Sequence, residues 1–218
     1  MYTLVFDTTA NGVILALYKD LECCRKIEKF MEFGQAEELA VGVKELLDSE
    51  KILFENVGLV GVSVGPGSFT GVRAGVSFAK ALAFSCPNVL ITGVSMFDVY
   101  AKMLDEKNRA FYNAVVIETK REDFYFQLFD SEMKKITPPL ALTRDEIKEK
   151  LSGCQVSFIG DGVERLLSQS MGLQIKHVEL SEMVNANALF EATYKKYFEK
   201  NLDFPKPLYI RNADACVK

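Results

Sequence analysis

At 218 residues, 49% of them hydrophobic, the chain holds enough apolar material for one large or two modest globular cores. A net charge of −4 removes any global attraction to phosphate, so a nucleic-acid role must run through a partner or one local patch, and a single histidine, His177, rules out metal centres built on paired histidines. Cys23, Cys24, Cys86, Cys154 and Cys216 are odd in number and form no Cys-x-x-Cys, which reads as packed thiols. No apolar run approaches the roughly 18 residues of a membrane span, and Met1–Asp7 lacks the basic flank of a signal peptide, so a cytoplasmic protein is expected.

Tyr2–Phe6 and Val13–Tyr18 are apolar strand-like runs separated by Asn11-Gly12, a strong hairpin signal, and a third strand is expected within Leu21–Phe30, where interrupting charges suit an edge. Gly34–Ser49 reads as an amphipathic helix with Ala36, Leu39, Ala40, Val43, Leu46 and Leu47 on one face. Val57–Val64 has no interior charge, as a strand covered on both faces requires. It breaks at Gly65-Pro66-Gly67, after which Ser68 is placed to cap a helix running from Phe69 to about Phe84. Gly71, Gly75, Ala79 and Ala83 fall four apart on that helix. Glycine there costs up to about 1 kcal/mol relative to alanine, so the stripe implies a close approach, such as that of another helix. Arg73, Ser77 and Lys80 form a second, polar stripe. Val89–Thr92 is a short strand, and Ser95 caps a helix to about Leu104. The order is that of an RNase H-like α/β domain over a mixed sheet.

The charged run Asp105–Arg109 marks a boundary, giving domains 1–106 and 107–218 with a tail that packs back on the first. The second half repeats the grammar. Strands Phe111–Ile117 and Phe124–Phe129 flank a polar hairpin, Pro138-Pro139 marks a loop, and Thr143 with Glu146 forms a capping box for a helix to Leu151. Val156–Ile159 is a buried strand ending in Gly160-Asp161-Gly162, which starts a helix to about Ser170. Ser181–Lys200 supplies the last helix, and Pro205–Lys218 is an extended tail; His177 beside Lys176 reads as a solvent-edge residue.

With these elements placed, the segment SVGPGSFTGVRAGVSFAKALA (63–83) resembles the signature of the TsaB family, also called YeaZ. Three further features resemble that family in the same order: the opening strand ending in Asp7-Thr8, the hairpin around Lys120-Arg121, and the closing Pro207–Asp214. The resemblance implies an actin-like ATPase (RNase H-like) fold of two similar α/β halves with mixed sheets. It also implies a non-catalytic dimerisation subunit of the machinery that makes N6-threonylcarbamoyladenosine in transfer RNA. Such a subunit pairs with its catalytic paralogue TsaD, is joined by TsaE, forms a homodimer when alone and meets transfer RNA only through the complex. The family's interface lies on its first two helices, which here carry Gln35, Leu39, Val43, Phe69, Val72, Arg73, Gly75, Val76 and Lys80.

TsaD holds its metal with a His-x-x-x-His helix, and the matching Gly34-Gln35-Ala36-Glu37-Glu38 contains no histidine. Many family members carry His-Ser-Glu near this point, so the chain departs from the pattern there. No metal site and no cofactor is expected. The plainer reading of the loop after the first strand is that Asp7 and Thr8 hydrogen-bond their own turn; Asp7, Gly65, Gly67 and Ser68 are the residues for a weak anion or nucleotide site, since a glycine turn at a helix start gathers unpaired N–H groups. A nucleotide-binding ATPase or sugar kinase of the same superfold therefore remains the alternative, as does, more remotely, a metallopeptidase of the glycoprotease type. The Asp7 loop lacks the glycine that actin-like ATPases place after this aspartate.

Overall fold

The computed structural model describes residues 1–10, 12–31, 34–181 and 183–211. The chain divides into two compact units, Met1–Met103 with Met183–Pro207, and Leu104–Glu182 with Leu208–Lys218. The first opens with strands β1 (Tyr2–Asp7), β2 (Gly12–Lys19) and β3 (Glu22–Phe30), then α1 (Gln35–Ser49), β4 (Val57–Ser63), α2 (Phe69–Ser85), β5 (Leu90–Val94) and α3 (Met96–Met103). Its sheet runs β3-β2-β1-β4-β5. The first three strands are antiparallel, whereas β4 and β5 join in parallel, with Val5 beside Gly61 and Val60 beside Ile91.

In the second unit, β6 (Tyr112–Glu118), β7 (Asp123–Phe129) and β8 (Leu140–Thr143) precede α4 (Arg144–Lys150), β9 (Gln155–Gly160), α5 (Val163–Leu167) and β10 (Gln174–Leu180); the last helix is α6 (Ala186–Phe198). The sheet order β10-β9-β6-β7-β8, read backwards, matches the first unit strand for strand, including the antiparallel and parallel pairings. Two similar α/β halves with mixed sheets are thus present.

Strand alternation builds the first core. Leu4, Phe6, Leu15, Leu17, Val60 and Val62 point to one face and pack with Leu39, Val43 and Leu46 of α1 and Ala79 of α2. The opposite face is covered by α6, although that helix follows the second unit in the chain. A side chain added at Gly61 would lie 2.1 Å from the Thr193 hydroxyl, so the absence of one lets α6 settle on β4. Tyr18 stacks on Phe190 at 3.8 Å between ring centroids and donates its hydroxyl hydrogen to Asn187 Oδ1 at 2.6 Å. The start of α6 is fixed by Asn185, which accepts from the Ala188 amide, and by Glu28 of β3, which accepts from the Ala186 amide at 2.9 Å.

Several expected boundaries move. Two strands absent from the sequence reading, β8 and β10, are sheet edges; Gln174, Ile175 and Lys176 are exposed in succession, so alternation gives no signal there. Helix α5 ends at Leu167, and α6 begins at Ala186 rather than Ser181. Cys23 is exposed and Cys24, Cys86 and Cys154 are half-buried, so these four thiols are less packed than expected; Asn11 of the hairpin signal, Cys216 and the last residues of the closing motif lie outside the described residues. Just before the expected tail, Asp203 O accepts from the Gly93 amide beside the edge of β5, and Lys196 reaches both Gly93 O and Asp203 at 2.9 Å. Gly61→Ala overpacks the β4–α6 contact and lowers stability in urea unfolding by about 1–3 kcal/mol. Adding Thr193→Ala returns part of that loss in a double-mutant cycle.

Candidate functional site

The glycine turn and α2 are built against the loop that follows β1. Asp7 is buried, and its Oδ1 accepts from the Thr9 amide at 2.9 Å, from the Thr9 hydroxyl at 2.6 Å and from the Ser63 hydroxyl, which ties the ends of β1 and β4 together. Its Oδ2 is buried with no hydrogen-bond partner among the described residues. Helix α2 then rests on the next two residues. The Thr8 hydroxyl donates to Gly71 O at 2.7 Å, and the Ser68 amide donates to Thr9 O at 2.8 Å. A side chain at Gly71 would lie 1.8 Å from Thr8 O, at Gly67 2.3 Å from Thr9 O, and at Gly75 2.8 Å from the Thr8 hydroxyl. Ser68 caps the helix as expected, accepting from the Gly71 amide at 3.3 Å. The glycine stripe therefore does mark a close approach, but its neighbours are a loop and β4 rather than another helix.

This packing sorts the residues expected at an interface. Leu39, Val43, Val72, Gly75 and Val76 are buried in the first unit's own core. Gln35 is half-buried, with its side-chain amide on Met31 O, and Lys80 lies over the Phe204 ring at 5.3 Å. Phe69 and Arg73 stay exposed, the guanidinium stacked 3.8 Å from the Phe69 ring centroid. The outer row of α2 reads Thr70, Arg73, Ser77, Ala81 and Phe84, all exposed, with Phe84 at 91%. Beside it α1 exposes Ala36, Ala40 and Val41, the last at 55%. Ala36 and Ala40, expected on the apolar face of α1, are therefore on its outer side, and Arg73 and Ser77 of the polar stripe lie in the outer row, whereas Thr70, Ala81 and Val41 were not singled out from the sequence.

The second unit holds a charged clasp. Arg165 donates to both carboxylate oxygens of Glu118 at 2.6 and 2.8 Å and to Asp123 O at 2.9 Å, while its guanidinium lies 3.8 Å from the Phe124 ring centroid. Arg211 pairs with Asp123 and leans over the Tyr125 ring. In the Gly160-Asp161-Gly162 turn, Asp161 accepts from the Glu118 amide at 2.9 Å, and Gly160, at φ 127°, has no room for a side chain against Val116 O. That turn is a packing element of its own sheet. His177 lies on β10 with Nε2 near Asn108 at 3.1 Å and Glu179 at 3.0 Å. Among the described residues no group of three or more His, Cys, Asp or Glu is arranged to hold a metal ion, and no helix is long and apolar enough to cross a membrane.

Comparison with known proteins adds a family to this geometry. The family model described as TsaD, tRNA N6-adenosine threonylcarbamoyltransferase, matches residues 35–218. The tRNA threonylcarbamoyladenosine biosynthesis protein TsaB of Haemophilus influenzae is 25% identical over 236 residues, covering 99% of this chain and 95% of its own. The protein of the same name from Escherichia coli is 24% identical, with 100% and 98% covered. The solved structure of YeaZ from Pseudomonas aeruginosa superposes with a TM-score of 0.79 at 19% identity, over 95% of this chain and 99% of that one. The fold is the actin-like ATPase fold.

The clasp gives a test in pH. Burial pushes the Glu118 carboxyl up, but hydrogen bonds from Arg165 and the Lys120 amide outweigh it and leave the group below its ordinary 4.5. A depressed carboxylate adds stability above its unfolded value and loses it as pH falls through the folded one. Wild-type protein should lose stability more steeply than Glu118→Gln between about pH 5 and pH 3, measured by denaturant unfolding across pH.

Proposed function

We propose that this chain, which belongs to the TsaD family and within it to the TsaB (YeaZ) branch, is a non-catalytic subunit of the machinery that makes threonylcarbamoyladenosine in transfer RNA. It pairs with the TsaD paralogue in the cytoplasm, with TsaE joining the assembly, forms a homodimer when alone, and meets transfer RNA only within the complex. The observation that carries this reading is the outer surface of α1 and α2. Small residues at Ala36, Ala40, Thr70, Ser77 and Ala81 allow a partner's backbone to approach, and Val41, Phe69 and Phe84 supply apolar contact area around them. The absence of histidine from residues 34–38, where TsaD is expected to hold metal, supports a role without metal chemistry in this chain.

A second reading, weak nucleotide binding, is favoured by one observation, the buried Asp7 Oδ2 with no hydrogen-bond partner among the described residues. It requires the Thr8–Thr9 loop to part from Gly67 and Gly71, which now lie against it. Equilibrium dialysis of ATP with magnesium distinguishes the two.

Light scattering of the purified chain mixed with the TsaD paralogue of the same organism should show a stable complex. Ala81→Glu, at an exposed position, should weaken that complex by about tenfold or more while leaving stability within about 0.5 kcal/mol. No complex with the wild-type chain under any nucleotide condition overturns the reading.

A further inference from the structure

From the convergence of α2 on the loop after β1, we infer that Thr8 is a positioning residue that sets how α2 presents its outer row to a partner. The inference rests on the proposed pairing with TsaD. Thr8 is 1% exposed, so it touches no partner itself. Its hydroxyl holds Gly71 O, its carbonyl lies where a Gly71 side chain would be, and its hydroxyl is also the nearest atom to the space above Gly75. Two successive turns of α2 are therefore registered on one residue, and the following Thr9 holds the helix entrance through the Ser68 amide. The loop cannot yield easily, because Asp7 Oδ1 gathers Thr9 and Ser63 into one knot across β1 and β4.

The geometric consequence lies on the far side of the helix. Gly71 and Gly75 face the loop, while Thr70, Arg73, Ser77 and Ala81 face outward on the same turns. A helix is rigid across its own diameter of about 10 Å, so lifting or rotating the inner contact moves the outer row by the same amount. A partner packed on small residues tolerates little of that displacement. Asp7 at the end of β1, one of the residues read from the sequence for a weak anion site, and the Thr8 that follows it thus act inside the chain as the seat of α2.

The test measures affinity for the TsaD paralogue by calorimetry at a temperature where circular dichroism shows every variant folded, with hydrogen exchange of the α2 amides in the free chain. Thr8→Val keeps the volume and removes the hydroxyl; Gly75→Ala adds a methyl against that hydroxyl; Thr8→Ser restores the hydroxyl. Thr8→Val and Gly75→Ala should each weaken binding about tenfold, the factor expected when the seated helix falls to a tenth of the population. Both should speed exchange in the first turns of α2, and Thr8→Ser should restore affinity and protection. Folded Thr8→Val or Gly75→Ala with wild-type affinity overturns the inference. Should Thr8→Val fail to fold, Gly75→Ala and Thr8→Ser decide it alone. A wild-type chain that does not bind the paralogue removes the proposed function, and the positioning role with it, a failure seen in the parent rather than the variants.

Discussion

The contact on which the rest of the first unit depends is backbone against backbone, where Thr8 and Thr9 meet the first two turns of α2. Such an approach is open only to a helix without side chains at the points of contact, and Gly71 and Gly75 provide two, with Gly67 doing the same in the turn before the helix. Their conformational cost in a helix is real, and it is offset by the fixed height of α2 above β1. With that height set, Ala79 reaches the core shared with α1 and the front face of the sheet, and Val72 and Val76 are buried beside it on the helix. The outer row of α2 is left exposed, with Thr70, Ser77 and Ala81 between the larger Arg73 and Phe84.

A second constraint concerns the cover of the first sheet. A parallel pair such as β4–β5 must be buried on both faces, yet α1 and α2 supply only one layer. The other includes α6, drawn from the end of the chain, with α3 beside it. The back face mixes small and polar residues, Thr3, Gly61, Ser63 and Thr92, with larger ones such as Val5, Tyr18 and Leu59. Beside the local Asn185 cap, Glu28 and Tyr18 hold the helix start in place with two hydrogen bonds, to Ala186 and Asn187, that no local sequence pattern would link.

The second unit repeats the sheet order but replaces the glycine seat by a charged clasp. Glu118 ends β6 at the place where Asp7 ends β1, and both carboxylates hold the adjoining loop. In the first unit that loop seats a 17-residue helix, while in the second it meets Arg165 on a five-residue one. The same architectural position thus seats a long helix in one half and holds a local ion pair in the other.

Sequence alone determined what depends on neighbours along the chain. Charge-free runs gave β1, β2 and β4, amphipathic spacing gave α1, and Ser68 and Thr143 marked their helix starts because capping is a contact of three residues' reach. The glycine spacing showed that something lies close to α2, since only close approach justifies it, and motif resemblance gave the family and fold. Only the tertiary structure decided what that something is. Thr8 and Gly71 are 63 positions apart, Glu118 and Arg165 are 47 apart, and Glu28 and Ala186 are 158 apart. Periodicity places a residue on a face of its own element but carries no information about which distant backbone that face will meet. That is why Val72, Gly75 and Val76, read as interface, lie in the first unit's own core, while Thr70, Ser77 and Ala81 remain on the surface.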